Sequence, residues 1–189
     1  MAYFSNTKKC AFLLLVLLQA CATVSDNKQV GSNLTFKYIP AVDIDEVRLQ
    51  HPIQITEDEV RKYLQSFWYE ETSLQRKKGR VFSEPEVAKI SPSLTKALNQ
   101  AKPDKLVQFK LATSKSDATI VEVFADKDKI HWRFQSIKGA DFFCGPADCE
   151  RINWRIIPKG GQRYFPAQTH LLGRVSAENW IIVARNPSK

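Results

Sequence analysis

Apolar residues never run far enough in this chain to span a bilayer. A crossing helix needs about 20 of them, and the stretch from Ala11 to Leu18 stops after eight. Histidine is scarce: His51, His131 and His170 are too scattered to form a metal motif. Of four cysteines, only Cys144 and Cys149 stand close together, with no second pair to complete a four-cysteine zinc site. Glycine is rare, and Gly160-Gly161 lacks both the pattern of a phosphate-binding loop and a helix after it. No serine sits in a Gly-x-Ser-x-Gly nucleophile setting. Together these shortages exclude the common sequence signatures of metal, nucleotide and serine-hydrolase chemistry, and no cofactor is implied.

What is present is most distinctive at the start. Lys8 and Lys9 precede the apolar run, which ends at Leu18-Gln19-Ala20-Cys21. A positive segment, a short apolar stretch and a small residue before the cut are the parts of a secretory signal. Leu18-Gln19-Ala20-Cys21 resembles the lipobox of bacterial lipoproteins, with Gln19 standing where that motif has a small or β-branched residue. The resemblance implies a signal peptide over residues 1–20 and a diacylglycerol and a palmitate on Cys21. Ala22, where inner-membrane lipoproteins of this kind carry aspartate, implies the outer membrane, periplasmic face. A diacylated cysteine supplies the two hydrophobic signals that stable anchoring requires. The mature domain, from His51-Pro52 through two capped helices, resembles small uncharacterised proteobacterial lipoproteins.

The whole chain carries a net charge of +8; removing residues 1–20 takes two lysines and no acid and leaves +6. Residues 21–33 are polar and read as a flexible tether with a reach of about 20 Å. Residues 34–189 suffice for a single domain with its own core. In an oxidising compartment the even pair Cys144 and Cys149 is expected to form a disulfide. The loop it closes would hold Asp141, Phe142, Phe143 and Asp148 in one shape, a candidate contact surface.

Leu34 to Ile39 alternates and stops at Pro40, as a first strand would. Thr56 and Glu59 form a capping box, and Val60, Tyr63, Leu64, Phe67 and Trp68 recur at helical spacing, predicting a helix to about Glu71. Arg76-Lys77-Lys78-Gly79-Arg80 reads as a basic loop. A second box, Ser83 with Glu86, opens a helix that Ser91-Pro92 is expected to kink or divide. From Lys105 the period falls to 2, predicting strands near 107–111, 119–125, 130–134, 152–156 and 180–184. Asp126 to Lys129 is the right length to join two of them as a hairpin. The expected class is α+β, two or three N-terminal helices packed on an antiparallel meander.

Positive charge interleaved with aromatics is the remaining signal. His131, Arg133, Asn153 and Arg155 fall on the outward positions of two predicted strands and form a candidate binding patch for an anionic glycan, a lipid head group or a protein. With His51 read as a loop hydrogen-bonding residue, no catalytic constellation is evident. The sequence therefore points to a non-enzymatic, outer-membrane interaction or accessory module with an envelope protein partner. The alternatives are a binder of peptidoglycan or lipopolysaccharide, and a periplasmic hydrolase using His51 or His170. Nucleic acid is not an expected partner.

Overall fold

The computed structural model describes residues 32–41, 44, 47–72, 75–142, 153–166 and 177–185, and the backbone of 169–170 and 173–174. Cys21, Cys144 and Cys149 lie outside the described residues, as do Phe143 and Asp148. The elements run β1 (Asn33–Pro40), α1 (Glu57–Ser66), β2 (Trp68–Glu71), β3 (Lys78–Arg80), α2 (Glu84–Gln100), β4 (Lys105–Ala112), β5 (Ala118–Ala125), β6 (Lys129–Ile137), β7 (Ala140–Asp141), β8 (Trp154–Ile157), β9 (Gln162–Tyr164), β10 (Thr169–His170), β11 (Gly173–Arg174) and β12 (Trp180–Ala184). A seven-stranded antiparallel sheet has the order β1-β4-β5-β6-β12-β9, with β7 alongside β6. A second sheet of three strands has the order β3-β2-β8, and β10 pairs β11.

This corrects the α+β expectation. Among the described residues the protein is mostly β, 42% strand against 21% helix, with two helices and ten strands in the two larger sheets. A strand precedes both helices, and the meander β4-β5-β6 is broken when the chain leaves for β8 in the other sheet and returns as β9, with β12 inserted between β6 and β9. The first error lies in α1. Its capping box forms as read, with the Glu59 amide donating to Thr56 Oγ1 and the Thr56 amide donating to Glu59 Oε2 at 2.8 Å. The helix stops at Ser66, however, because Phe67 is extended and Trp68-Tyr69 pair with β3 and β8. Aromatic residues serve either element, so backbone partners decided between them. The supposed basic loop is correspondingly strand β3.

Pro92 does not divide α2, which runs unbroken over 17 residues. Proline removes one amide donor and so frees the carbonyl of Ala88, but Ala88 faces solvent, where water satisfies that oxygen. The Ser91 hydroxyl meanwhile donates to the Val87 carbonyl at 2.6 Å. The hairpin of β5 and β6 forms with the expected turn, closed by Asp126 Oδ1 accepting from the amides of Asp128 and Lys129.

Both helices lie on one face of the large sheet. Val60 and Leu64 of α1 and Val87, Ile90, Leu94 and Leu98 of α2 share a core with Val107, Phe109, Val121, Val123, Trp132, Phe134 and Ile181. Phe67, fully buried, stands 4.9 Å from the Trp132 ring and 5.1 Å, edge-on, from Phe134. A smaller core on the opposite face gathers Ile44, Leu106 and Phe124, with Ile39, Val47, Leu49 and Trp180 against it. Phe67→Ala is expected to cost about 3–5 kcal/mol through lost burial and the cavity left behind. Urea denaturation of the variant against the native chain measures this directly.

Candidate functional site

Alternation along β5, β6 and β12 sends Glu122, Phe124, His131, Arg133, Gln135 and Trp180 to the face away from the helices. Glu122 is the hub of that face. Its carboxylate accepts from Arg133 Nε at 2.6 Å, Gln135 Nε2 at 3.0 Å and Gln108 Nε2 at 3.3 Å. The Arg133 guanidinium lies 5.3 Å from the Trp180 ring centroid, and Phe165 stacks on Trp180 at 3.9 Å, nearly parallel. Trp180 and Phe165 remain half-buried, so this aromatic pair is the accessible part of the cluster.

His131 does not project into solvent as its alternation predicts; it is 1% exposed. Its ring stacks on Phe124 at 4.8 Å and lies 5.9 Å from Trp180. The Trp180 indole N–H donates to Nδ1 at 3.2 Å, which leaves the proton on Nε2, and Nε2–H donates to Asp126 Oδ2 at 3.0 Å. Burial pushes the imidazole below its usual value, with Asp126 opposing by hydrogen bond and charge. Burial alone would raise the Asp126 carboxyl, but hydrogen bonds from His131 and from the amides of Asp128 and Lys129 hold it low. An aspartate orienting a histidine is half of a hydrolytic relay. Here both ring nitrogens are already engaged, so His131 has no lone pair left to take a proton from a nucleophile.

Asn153 and Arg155 are not brought beside His131 and Arg133. Arg155 sits on β8 in the three-stranded sheet and Asn153 just before it. Arg155 Nε and Nη2 both donate to Glu70 Oε2, at 2.9 and 2.7 Å, and Nη1 lies 3.8 Å from Glu178. The bond from Arg155, with Lys78 assisting, holds the Glu70 carboxyl below the usual range. The Asn153 backbone carbonyl accepts from Thr72. The two arginines thus lie on different sheets, and each is spoken for by a carboxylate. Sequence reasoning missed Glu122 and Glu70, although a single acid inside an otherwise apolar strand such as Ala118–Ala125 is a signal for a buried charge partner.

His51 is also buried, 5% exposed. Nε2 accepts from the Ala125 amide at 3.3 Å, and Nδ1 has no well-formed hydrogen bond. Burial lowers the ring to about 4, the Leu98 carbonyl opposing and the charge of Arg185 adding to the shift. Among the described residues no serine or carboxylate side chain hydrogen-bonds it. The side chain of His170 lies outside the description. Phe142 of the proposed contact loop packs on Trp154 at 5.1 Å and is buried, which removes it from any contact surface. Among the described residues no three of His, Cys, Asp and Glu are grouped to hold a metal, and no helix is long and apolar enough to cross a membrane. No family model, curated protein or solved structure matches this chain.

Two outcomes follow from this geometry. Arg133→Met leaves the buried Glu122 without its cation and is expected to cost about 3–5 kcal/mol, most of it recovered in Glu122→Gln/Arg133→Met, as measured by denaturant midpoints. For His51, the unfolded ring takes up a proton near 6.5 and the folded ring only near 4. Its contribution is therefore complete above pH 6.5 and is lost as pH falls, about 2 kcal/mol between roughly pH 7 and pH 5. His51→Gln should flatten that slope in urea melts taken across the range, leaving only the smaller share from His131.

Proposed function

We propose that this chain is a lipid-anchored protein of the bacterial cell envelope, held by Cys21 on the periplasmic face of the outer membrane, and that it acts as a non-enzymatic interaction or accessory module in an envelope assembly. The observation that carries this reading is the segment from Lys8 to Cys21, where charge, apolar length and the residues before the cysteine agree. Two features of the folded domain support the second half. His51 and His131 are committed to structural contacts, which withdraws the bases a hydrolase would use at those positions. The stacked Phe165 and Trp180, rimmed by exposed Arg163 on β9, have the composition of a protein contact: an aromatic anchor beside a polar edge.

Arg133 and Arg155 are poor probes of binding, because reversing either charge sets two carboxylates against each other inside the fold. Arg163→Glu acts on accessible atoms instead. Crosslinking in living cells followed by pull-down is expected to recover one defined envelope protein with the native chain. Recovery should fall at least severalfold with Arg163→Glu and be lost with Cys21→Ala, which cannot be lipidated. Failure to recover any protein dependent on Cys21 would overturn the reading.

A further inference from the structure

The three-stranded sheet carries an aromatic ring clamped between cations. Trp68 lies opposite Arg80 in the register and is half-buried; the Lys159 ammonium stands 3.7 Å from its ring centroid and the Arg80 guanidinium 5.6 Å. Lys78 and Arg155 flank Glu70 on the same face, and Arg76 and Lys77 lead into β3. Of these six cations Lys78, Arg80 and Arg155 meet Glu70, Glu84 and Glu178. Arg76, Lys77 and Lys159 are exposed and have no ion-pair partner among the described residues. β3 is an edge strand, so its charges border solvent.

The tether leaves the domain at the same end. Lys89 Nζ donates to the backbone carbonyl of Ser32 and to its hydroxyl, which fixes the start of β1 against the first half of α2. From Lys89 back to the cap Ser83 is about 9 Å along the helix, and Arg80 is at most about 10 Å farther. The large sheet agrees. Its register sets Asn33, Ala112 and Ala118 at one end, and from that end Lys138 reaches over the Tyr69 ring of β2, 5.3 Å from its centroid, whereas Lys159, bonded to Gln162 opposite Val183, stands toward the Lys129 end. The eleven peptide units from Cys21 to Ser32 span at most about 40 Å. The tether therefore covers the span that separates its exit from the cationic strand.

The geometry points to a second, electrostatic membrane contact: Arg76, Lys77, Lys78, Arg80 and Lys159, with Trp68 among them, dock the domain on the anionic phospholipid headgroups of the bilayer that anchors Cys21. This rests on the lipid-anchor reading. The chemistry of both partners supports it. Lysine and arginine near an anionic leaflet each add to attachment, and tryptophan favours the headgroup level. Trp68 is oriented by its two cations, so ring and charges meet a flat surface together. Docking also limits the orientations of the tethered domain, and with them the face offered to any partner.

The test uses the lipidated chain purified from envelopes, with a mass measurement first. Absence of diacylglycerol on Cys21 sinks the anchor reading on which docking rests. The lipidated protein is then placed on vesicles of phosphatidylcholine alone or with about 30 mol % phosphatidylglycerol, and lysine acetylation rates are read residue by residue by mass spectrometry. On the anionic vesicles Lys77, Lys78 and Lys159 should be labelled severalfold more slowly, recovering as salt rises from about 50 to about 300 mM, while Lys102, beside the start of β4 and across the sheet from β9, stays unchanged. Arg76→Glu with Lys77→Glu should abolish the protection of Lys78 without reducing flotation. If that pair lowers the unfolding midpoint, Lys77→Glu alone serves. A chain that floats but whose lysines are labelled equally on both vesicles, or are protected only by peptidoglycan fragments, overturns the docking while leaving the anchor intact.

Discussion

Phe67 is the joint on which the two sheets depend. It ends α1, begins the turn into β2, and drives its ring between Trp132 and Phe134 of the large sheet, while its carbonyl accepts from the Val81 amide at 3.1 Å. A three-stranded sheet needs a hydrophobic face buried against something to offset the ordering of its strands. Anchored through Phe67, through Trp154 donating to the Ala140 carbonyl at 2.7 Å, and through Phe142 on Trp154, it shares the main core. The position of every cation on β3 and β8 follows from that attachment.

Two buried carboxylates organise what would otherwise be a diffuse positive surface. Glu122 on the large sheet and Glu70 on the small one each bind an arginine in good geometry, with further donors completing their shells. Burying a charge is costly unless it is paired and hydrogen-bonded, so these residues hold their partners inward. Of the basic residues on the small sheet, Arg76, Lys77 and Lys159 at the rim have no ion-pair partner among the described residues, and Lys78 and Arg80, though paired, keep about half of their side chains in solvent. Net charge by itself does not reveal this division, since a paired arginine and a free one count equally.

The histidines make the same point about chemistry. A hydrolytic reading needs a lone pair facing a cleft, and His131 spends one nitrogen on Trp180 and the other on Asp126. What such a residue contributes is structural: a flat, neutral ring stacked on Phe124, held neutral by burial. Attention then shifts from polar pairs that satisfy each other to the aromatic and cationic groups left half exposed, Phe165 and Trp180 on one sheet and Trp68 with Lys159 on the other.

The sequence by itself determined everything that depends on near neighbours. The capping boxes at Thr56 and Ser83, the strands from Lys105 to Ile137, the Asp126–Lys129 turn and the start of β1 were legible, because caps, turns and alternation are settled within a few residues. Where β-partners lie far away in the chain, it could not decide. Trp68 continues a helical stripe yet joins Arg80 and Ile157, and Lys78–Arg80 of the basic run becomes an edge strand only because β2 is there to pair it. Alternation correctly sent His131 and Arg133 to one face, but burial of that face depends on Phe124, Trp180 and Phe165 packing over it. Arg155 went to another sheet altogether, 85 residues along the chain from the Glu70 that holds it. Contacts across such separations are chosen by the packing of the whole fold, and only the tertiary structure decides them.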